Sequence, residues 1–87
     1  MKTMNLLNLP QPEIGKLIRN LRQEMNLTQE QFAMMVGVVF TTVNRWEKGH
    51  ANPSPMAIKM ISMKLQQLGE KGEKLIEKYA AVASEIR

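Results

Sequence analysis

The stretch Leu27-Thr28-Gln29-Glu30-Gln31-Phe32-Ala33-Met34-Met35-Val36-Gly37-Val38-Val39-Phe40-Thr41-Thr42-Val43-Asn44-Arg45-Trp46-Glu47-Lys48-Gly49 reads as two short helices on either side of one glycine. Thr28 starts the first. Its hydroxyl is placed to accept from the Gln31 amide while the Gln31 side chain reaches back, a reciprocal capping box. Leu27 precedes the cap, where it can close a hydrophobic staple onto Phe32. Phe32, Ala33 and Val36 then share one buried face. Gly37 ends this helix, because glycine enters the left-handed region without a Cβ clash. The second helix is expected over about Phe40 to Lys48, with Gly49 as its stop. Val43 and Trp46, three apart, face the core, while Phe40, Thr41, Asn44 and Arg45 lie mostly on the opposite side.

Working outward, Ile14, Leu17, Ile18, Leu21 and Met25 recur at helical spacing, with Lys16, Arg19 and Arg22 between them. They predict a preceding helix from Glu13 to about Met25, closed by Asn26 in the left-handed conformation. Ser54 is an N-cap and Pro55 suits the first helical position of a fourth helix running to about Leu68, before Gly69. That helix carries two apolar stripes, Ala57-Ile58-Ile61-Leu65-Leu68 and Met56-Met60-Met63, and so should contact two things. A fifth helix from near Glu73, with Leu75, Ile76, Tyr79, Val82, Ala83 and Ile86 on one side, is the natural cover for the methionine stripe, and Met60 and Met63 are expected inside. Met34 and Met35 stay open between surface filling and an adaptable partner surface. The N-terminal Leu6, Leu7 and Leu9 read as a disordered arm by default, or as a segment that docks on a partner. The expectation is an all-α, compact five-helix domain: an arm over 1–12, a core unit over 13–69, and a C-terminal helix over 70–87 that packs on the domain or on a dimer partner.

Composition narrows the function. A chain of 87 residues supports one domain, and with no cysteine it has neither a disulfide framework nor thiolate zinc sites. No apolar run suits a membrane span or a secretory signal, so a soluble, cytoplasmic protein with no membrane partner is expected. Twelve basic residues against 8 acidic ones give a net charge of +4, which favours a polyanionic partner. His50 is the only histidine, too few donors for a metal site. Glu70, Glu73 and Glu77 sit among lysines and read as a solvated face, not a catalytic pair. Without a phosphate loop, an activated serine or a thiol, the chain offers no enzyme and calls for no cofactor.

The two short helices do meet the demands of a helix-turn-helix, in which the first crosses the DNA backbone and the second enters the major groove. Gly37 supplies the tight turn and Ala33 the small residue at closest approach. Phe32, Val36, Val38, Val43 and Trp46 anchor both helices. The outward residues then offer suitable chemistry: arginine for guanine O6 and N7, asparagine for adenine, and an apolar tip for a thymine methyl. Phe40 divides evenly between groove contact and partial packing on the domain.

Leu27-Thr28-Gln29-Glu30-Gln31-Phe32-Ala33, Val36-Gly37-Val38, Thr42-Val43-Asn44-Arg45-Trp46-Glu47-Lys48-Gly49 and Pro53-Ser54 resemble the Cro/repressor (XRE) type helix-turn-helix family, from about Ile14 to Ile61. The resemblance implies a repressor-like domain that binds double-stranded operator DNA as a homodimer. It implies base contacts at Phe40, Thr41, Asn44 and Arg45, and phosphate contacts at Thr28, Gln29, Thr42, Lys48, His50 and Asn52. It further implies an architectural ion pair between Arg22 and Glu47. Three departures stand out. Val39 replaces the usual serine or threonine cap of the second helix, Phe40 is bulky where polar residues are common, and Met34-Met35 replace charged residues. The function read from all this is transcriptional regulation, as a repressor. The fourth and fifth helices could form the seam of the homodimer, with Tyr79, Leu75 and Val82 as candidates. The alternative is the antitoxin of a toxin–antitoxin pair, binding a toxin protein as well as its own promoter, favoured by the apolar arm and the Met34-Met35 patch.

Overall fold

In the computed structural model, which describes residues 9–86 and side chains as far as Val82, the described residues form five helices and no strand. They are α1 (Glu13–Glu24), α2 (Gln29–Val36), α3 (Phe40–Lys48), α4 (Pro55–Gln67) and α5 (Glu70–Ile86). The helix ends follow local chemistry. Thr28 and Gln31 form the complete capping box, and Gly37 takes φ 78°, ψ 30°. Asn26 closes α1 with a left-handed φ of 57°. Ser54 accepts from the Ala57 amide with Pro55 at the first position of α4.

The core is a single cluster. Ile14, Leu17, Ile18 and Leu21 of α1 meet Phe32, Ala33 and Val36 of α2, Val43 and Trp46 of α3, and Ala57, Ile58, Ile61 and Leu65 of α4. Burial of these faces is the main favourable term holding the helices together.

The C-terminal helix departs from expectation in three ways. First, α5 begins at Glu70, not near Glu73, because Gly69 turns the chain with φ 63° and its carbonyl already accepts from the Glu73 amide. Gly72 therefore lies inside the first turn. A Cβ there would overlap the Leu65 carbonyl oxygen, so glycine permits α5 to meet α4 closely. Second, α5 does not cover the methionine stripe. It leans on α1 through buried Tyr79, whose hydroxyl pairs with the Asn20 amide. Met56 is 71% exposed and Met63 46%, and only Met60 packs against the core. Third, Tyr79 is spent inside the fold and is not free for a dimer seam, while Leu75 and Ile76 are half-buried. Ala83 and Ile86 fall where side chains are outside the described residues.

Of the arm read over 1–12, Leu6 and Leu7 also lie outside the described residues. Leu9 packs against the core. Gln11 is a clamp. Its Oε1 accepts from the Gly15 amide at 3.0 Å, and its Nε2 donates to the Trp46 carbonyl at 3.1 Å and the Ala51 carbonyl at 2.7 Å. One side chain thus joins the start of α1 to the end of α3 and the loop beyond. Met34 is 81% exposed on the outside of α2, and Met35 is half-buried against the core. Glu70, Glu73 and Glu77 are all exposed.

Candidate nucleic-acid interface

The helix α3 is presented by its own buried side. Val43 is fully buried and Trp46 is 2% exposed, which fixes the rotation of the helix and sends Phe40, Thr41, Arg45 and Lys48 outward. Phe40, Thr41 and Arg45 are exposed, and Asn44 is half-buried at the edge facing α2. Phe40, 42% exposed, keeps part of its ring against the protein and part free. Val39 holds the N-cap position in an extended conformation with no side-chain hydrogen bond. At the other end Gly49 takes φ 81°, ψ 13°.

Around α3 the remaining sequence-predicted residues divide. Thr28 is exposed, but its hydroxyl is engaged by the Gln31 amide at 3.1 Å. Thr42 is half-buried in the first turn of α3. Lys48, His50 and Asn52 are exposed on and after the last turn. Arg45 reaches toward the His50 carbonyl at 3.5 Å, a long and weak contact that leaves its guanidinium available. His50 and Asn52 also line an open groove of about 440 Å³ together with Leu9 and Gln11.

Beneath this surface lies a continuous polar chain. Arg22 donates from Nε to Glu47 Oε2 at 2.7 Å and from Nη2 to Glu47 Oε1 at 3.0 Å. Its Nη1 donates to the Leu27 carbonyl at 3.0 Å. The two side chains are 15% and 5% exposed, so this two-pronged pair ties α1 to the end of α3 with little solvent screening. Glu47 Oε1 also accepts from Gln29 Nε2 at 3.0 Å, and Gln29 Oε1 accepts from Asn44 Nδ2 at 3.2 Å. Gln29 thus stands between the ion pair and Asn44.

Sequence reasoning brought Arg22 and Glu47 together through a resemblance. It missed that Gln29 joins them to Asn44, and that Gln11 holds the back of α3. Spacing carries no trace of either, since a glutamine at a helix start is equally an ordinary solvated residue. Among the described residues no three of His, Asp and Glu cluster as metal ligands. No helix of the described residues is long and apolar enough to cross a membrane.

Comparison with known proteins agrees with this geometry. A helix-turn-helix family model matches residues 18–69, which takes in most of α1, the whole of α2, α3 and α4, and the turn before α5. No curated protein and no solved structure matches the chain. The match covers more than half the chain and centres on the pair of helices joined at Gly37, so the chain belongs to the XRE-type helix-turn-helix family of DNA-binding domains.

Proposed function

We propose that this protein is a sequence-specific binder of double-stranded DNA that represses transcription as a homodimer, with residues 13–69 as its DNA-binding unit. The observation that carries the reading is the two-sidedness of α3. Its inner residues Val43 and Trp46 are sealed, while Phe40, Thr41 and Arg45 project from a basic chain. In this reading Phe40, Thr41, Asn44 and Arg45 meet base edges in the major groove and give specificity. Thr28, Gln29, Thr42, Lys48, His50 and Asn52 meet the phosphates, from side chains or from backbone amides, and give affinity and salt dependence. Repression follows from occupancy of a promoter.

The test is selection of bound duplexes from a random library by the purified chain at physiological salt. The expected result is a two-fold symmetric consensus whose half-sites lie about one helical turn apart. A single half-site removes the homodimer, and no enrichment by a folded protein removes specific DNA reading.

A second reading is favoured by Met34, 81% exposed on α2 beside the half-buried Met35. Flexible, polarisable methionines suit a protein partner, as in an antitoxin that holds a toxin. It expects Met34→Lys to leave operator affinity unchanged and to weaken capture of the protein partner encoded with it.

A further inference from the structure

The amide of asparagine or glutamine has two ends of nearly equal shape, and only its partners decide which end points where. Here every partner in the chain beneath α3 has one allowed polarity. The Arg22 guanidinium only donates, and its Nη1 is held by the Leu27 carbonyl at 3.0 Å. The Glu47 carboxylate paired with it only accepts. Gln29 lies against Glu47 Oε1 at 3.0 Å and must turn its NH2 that way. Its Oε1 then faces Asn44, which must answer with Nδ2, at 3.2 Å. The orientation is imposed link by link, and it leaves Asn44 Oδ1 unclaimed by the relay.

We infer that Gln29 is a specificity-determining residue: through the relay from Arg22 and Glu47 it fixes the amide of Asn44 with its acceptor oxygen toward the DNA. An acceptor held there selects a base with an amino group in the major groove, adenine at N6 or cytosine at N4. Guanine and thymine present only acceptors there, O6, N7 and O4, and so offer that oxygen no donor. Asn44 keeps its second N–H for adenine N7, so adenine is the base it serves best. This rests on the DNA-reading function proposed above, and it assigns Gln29 a role that a phosphate contact alone does not include.

The experiment pairs duplex selection with side-chain amide resonances of the free protein. With the wild-type chain, one position in each half-site is expected to carry adenine or cytosine, and Asn44→Ala should erase that preference. Gln29→Met keeps the length of the side chain and removes both polar ends. Beyond any uniform loss of affinity from the phosphate contact, it should raise guanine or thymine relative to adenine or cytosine at that same position by about tenfold, with the base preferences at the other positions unchanged. If Gln29→Met instead weakens all sequences equally and leaves that position as it was, Gln29 is a backbone contact and the inference is overturned. In the free protein, Gln29→Met should move the Asn44 NH2 resonances, while Asn44→Ala should leave the Gln29 pair held by Glu47. Unmoved Asn44 resonances overturn the relay without reference to DNA. A wild-type chain that selects no sequence overturns the base-selecting role together with the DNA reading, whatever the resonances show.

Discussion

The segment from Leu27 to Gly49 and the segment from Pro55 to Val82 are both helical pairs joined at a left-handed glycine, Gly37 and Gly69. Each buries one apolar face and leaves three large apolar side chains exposed, but the exposed residues lie in different places. In the first pair Phe32, Val43 and Trp46 are buried in the shared core, while Met34 on the outside of α2 and Val39 and Phe40 at the start of α3 are exposed beside the candidate interface. In the second pair, Ile58, Ile61, Leu65 and Tyr79 are buried there too, while Met56, Met63 and Val82 remain substantially exposed. The exposure in the second pair follows from where α5 lies. It meets α4 at Leu65 through Gly72 and α1 at Asn20 through Tyr79, and it leaves Met56 and Met63 of the α4 stripe exposed. An apolar stripe on a helix therefore states that burial is favourable, and not that the chain itself supplies the cover.

The sharpest way to break this contrast is at Trp46. It is 2% exposed, and its carbonyl is bound by the Gln11 side chain. Trp46→Ala removes the largest side chain under α3 and should cost about 3–5 kcal/mol, a large share of the stability of a small domain. Denaturant unfolding would read this as a fall in midpoint with an unchanged slope. A midpoint within experimental scatter of wild type would mean that α3 is not seated as described. Next in size is Gly72→Ala in the second pair. The added methyl meets the Leu65 carbonyl, so α5 must shift, and overpacking of this kind costs about 1–3 kcal/mol. A gain in stability, as expected for an alanine in an unhindered helix, would show that α4 and α5 do not approach so closely.

These two sites also show what was legible in the sequence. Trp46 was readable because Val43 stands three residues before it and a glycine follows the helix, so period and boundary agree. The capping box at Thr28 and the N-cap at Ser54 were readable for the same reason, since each is a local bond between residues close in the chain. The start of α5 was not legible. It was expected near Glu73, whereas Gly72 lies inside the first turn and serves a contact with Leu65 on another helix, which no local pattern announces. The cover of the methionine stripe depends on which side of α4 receives α5, and the amphipathic pattern of α5 does not say: α5 meets α4 at Leu65 and α1 at Asn20, and leaves Met56 and Met63 exposed. Within the candidate interface, the outward residues of α3 were legible from its buried face. The link Asn44–Gln29–Glu47 was not, because a side-chain hydrogen bond between distant residues leaves no periodic signal.

Smaller effects sharpen the comparison at the helix ends. Val39 is 65% exposed and gives α3 no side-chain cap, unlike Thr28 for α2 and Ser54 for α4. Val39→Ser should add about 1 kcal/mol by accepting from an amide in the first turn of α3, with little buried surface lost in exchange. Thermal unfolding would show a melting temperature several degrees higher. No rise would mean that the extended conformation at Val39 cannot aim a hydroxyl at those amides.

The least effect is expected where the contrast began. Met56 is 71% exposed, so Met56→Lys should change folding stability by no more than about 0.5 kcal/mol, whereas Met60→Lys, at a half-buried position against the core, should cost clearly more. The pair of variants separates two meanings of one stripe. Equal losses would show that the methionines act together as core, covered by something the isolated fold includes. A loss confined to Met60 leaves Met56 and Met63 as apolar surface with no duty in folding. A second assay, protection of Met56 and Met63 from oxidation as protein concentration rises, would then show whether another copy of the chain covers them.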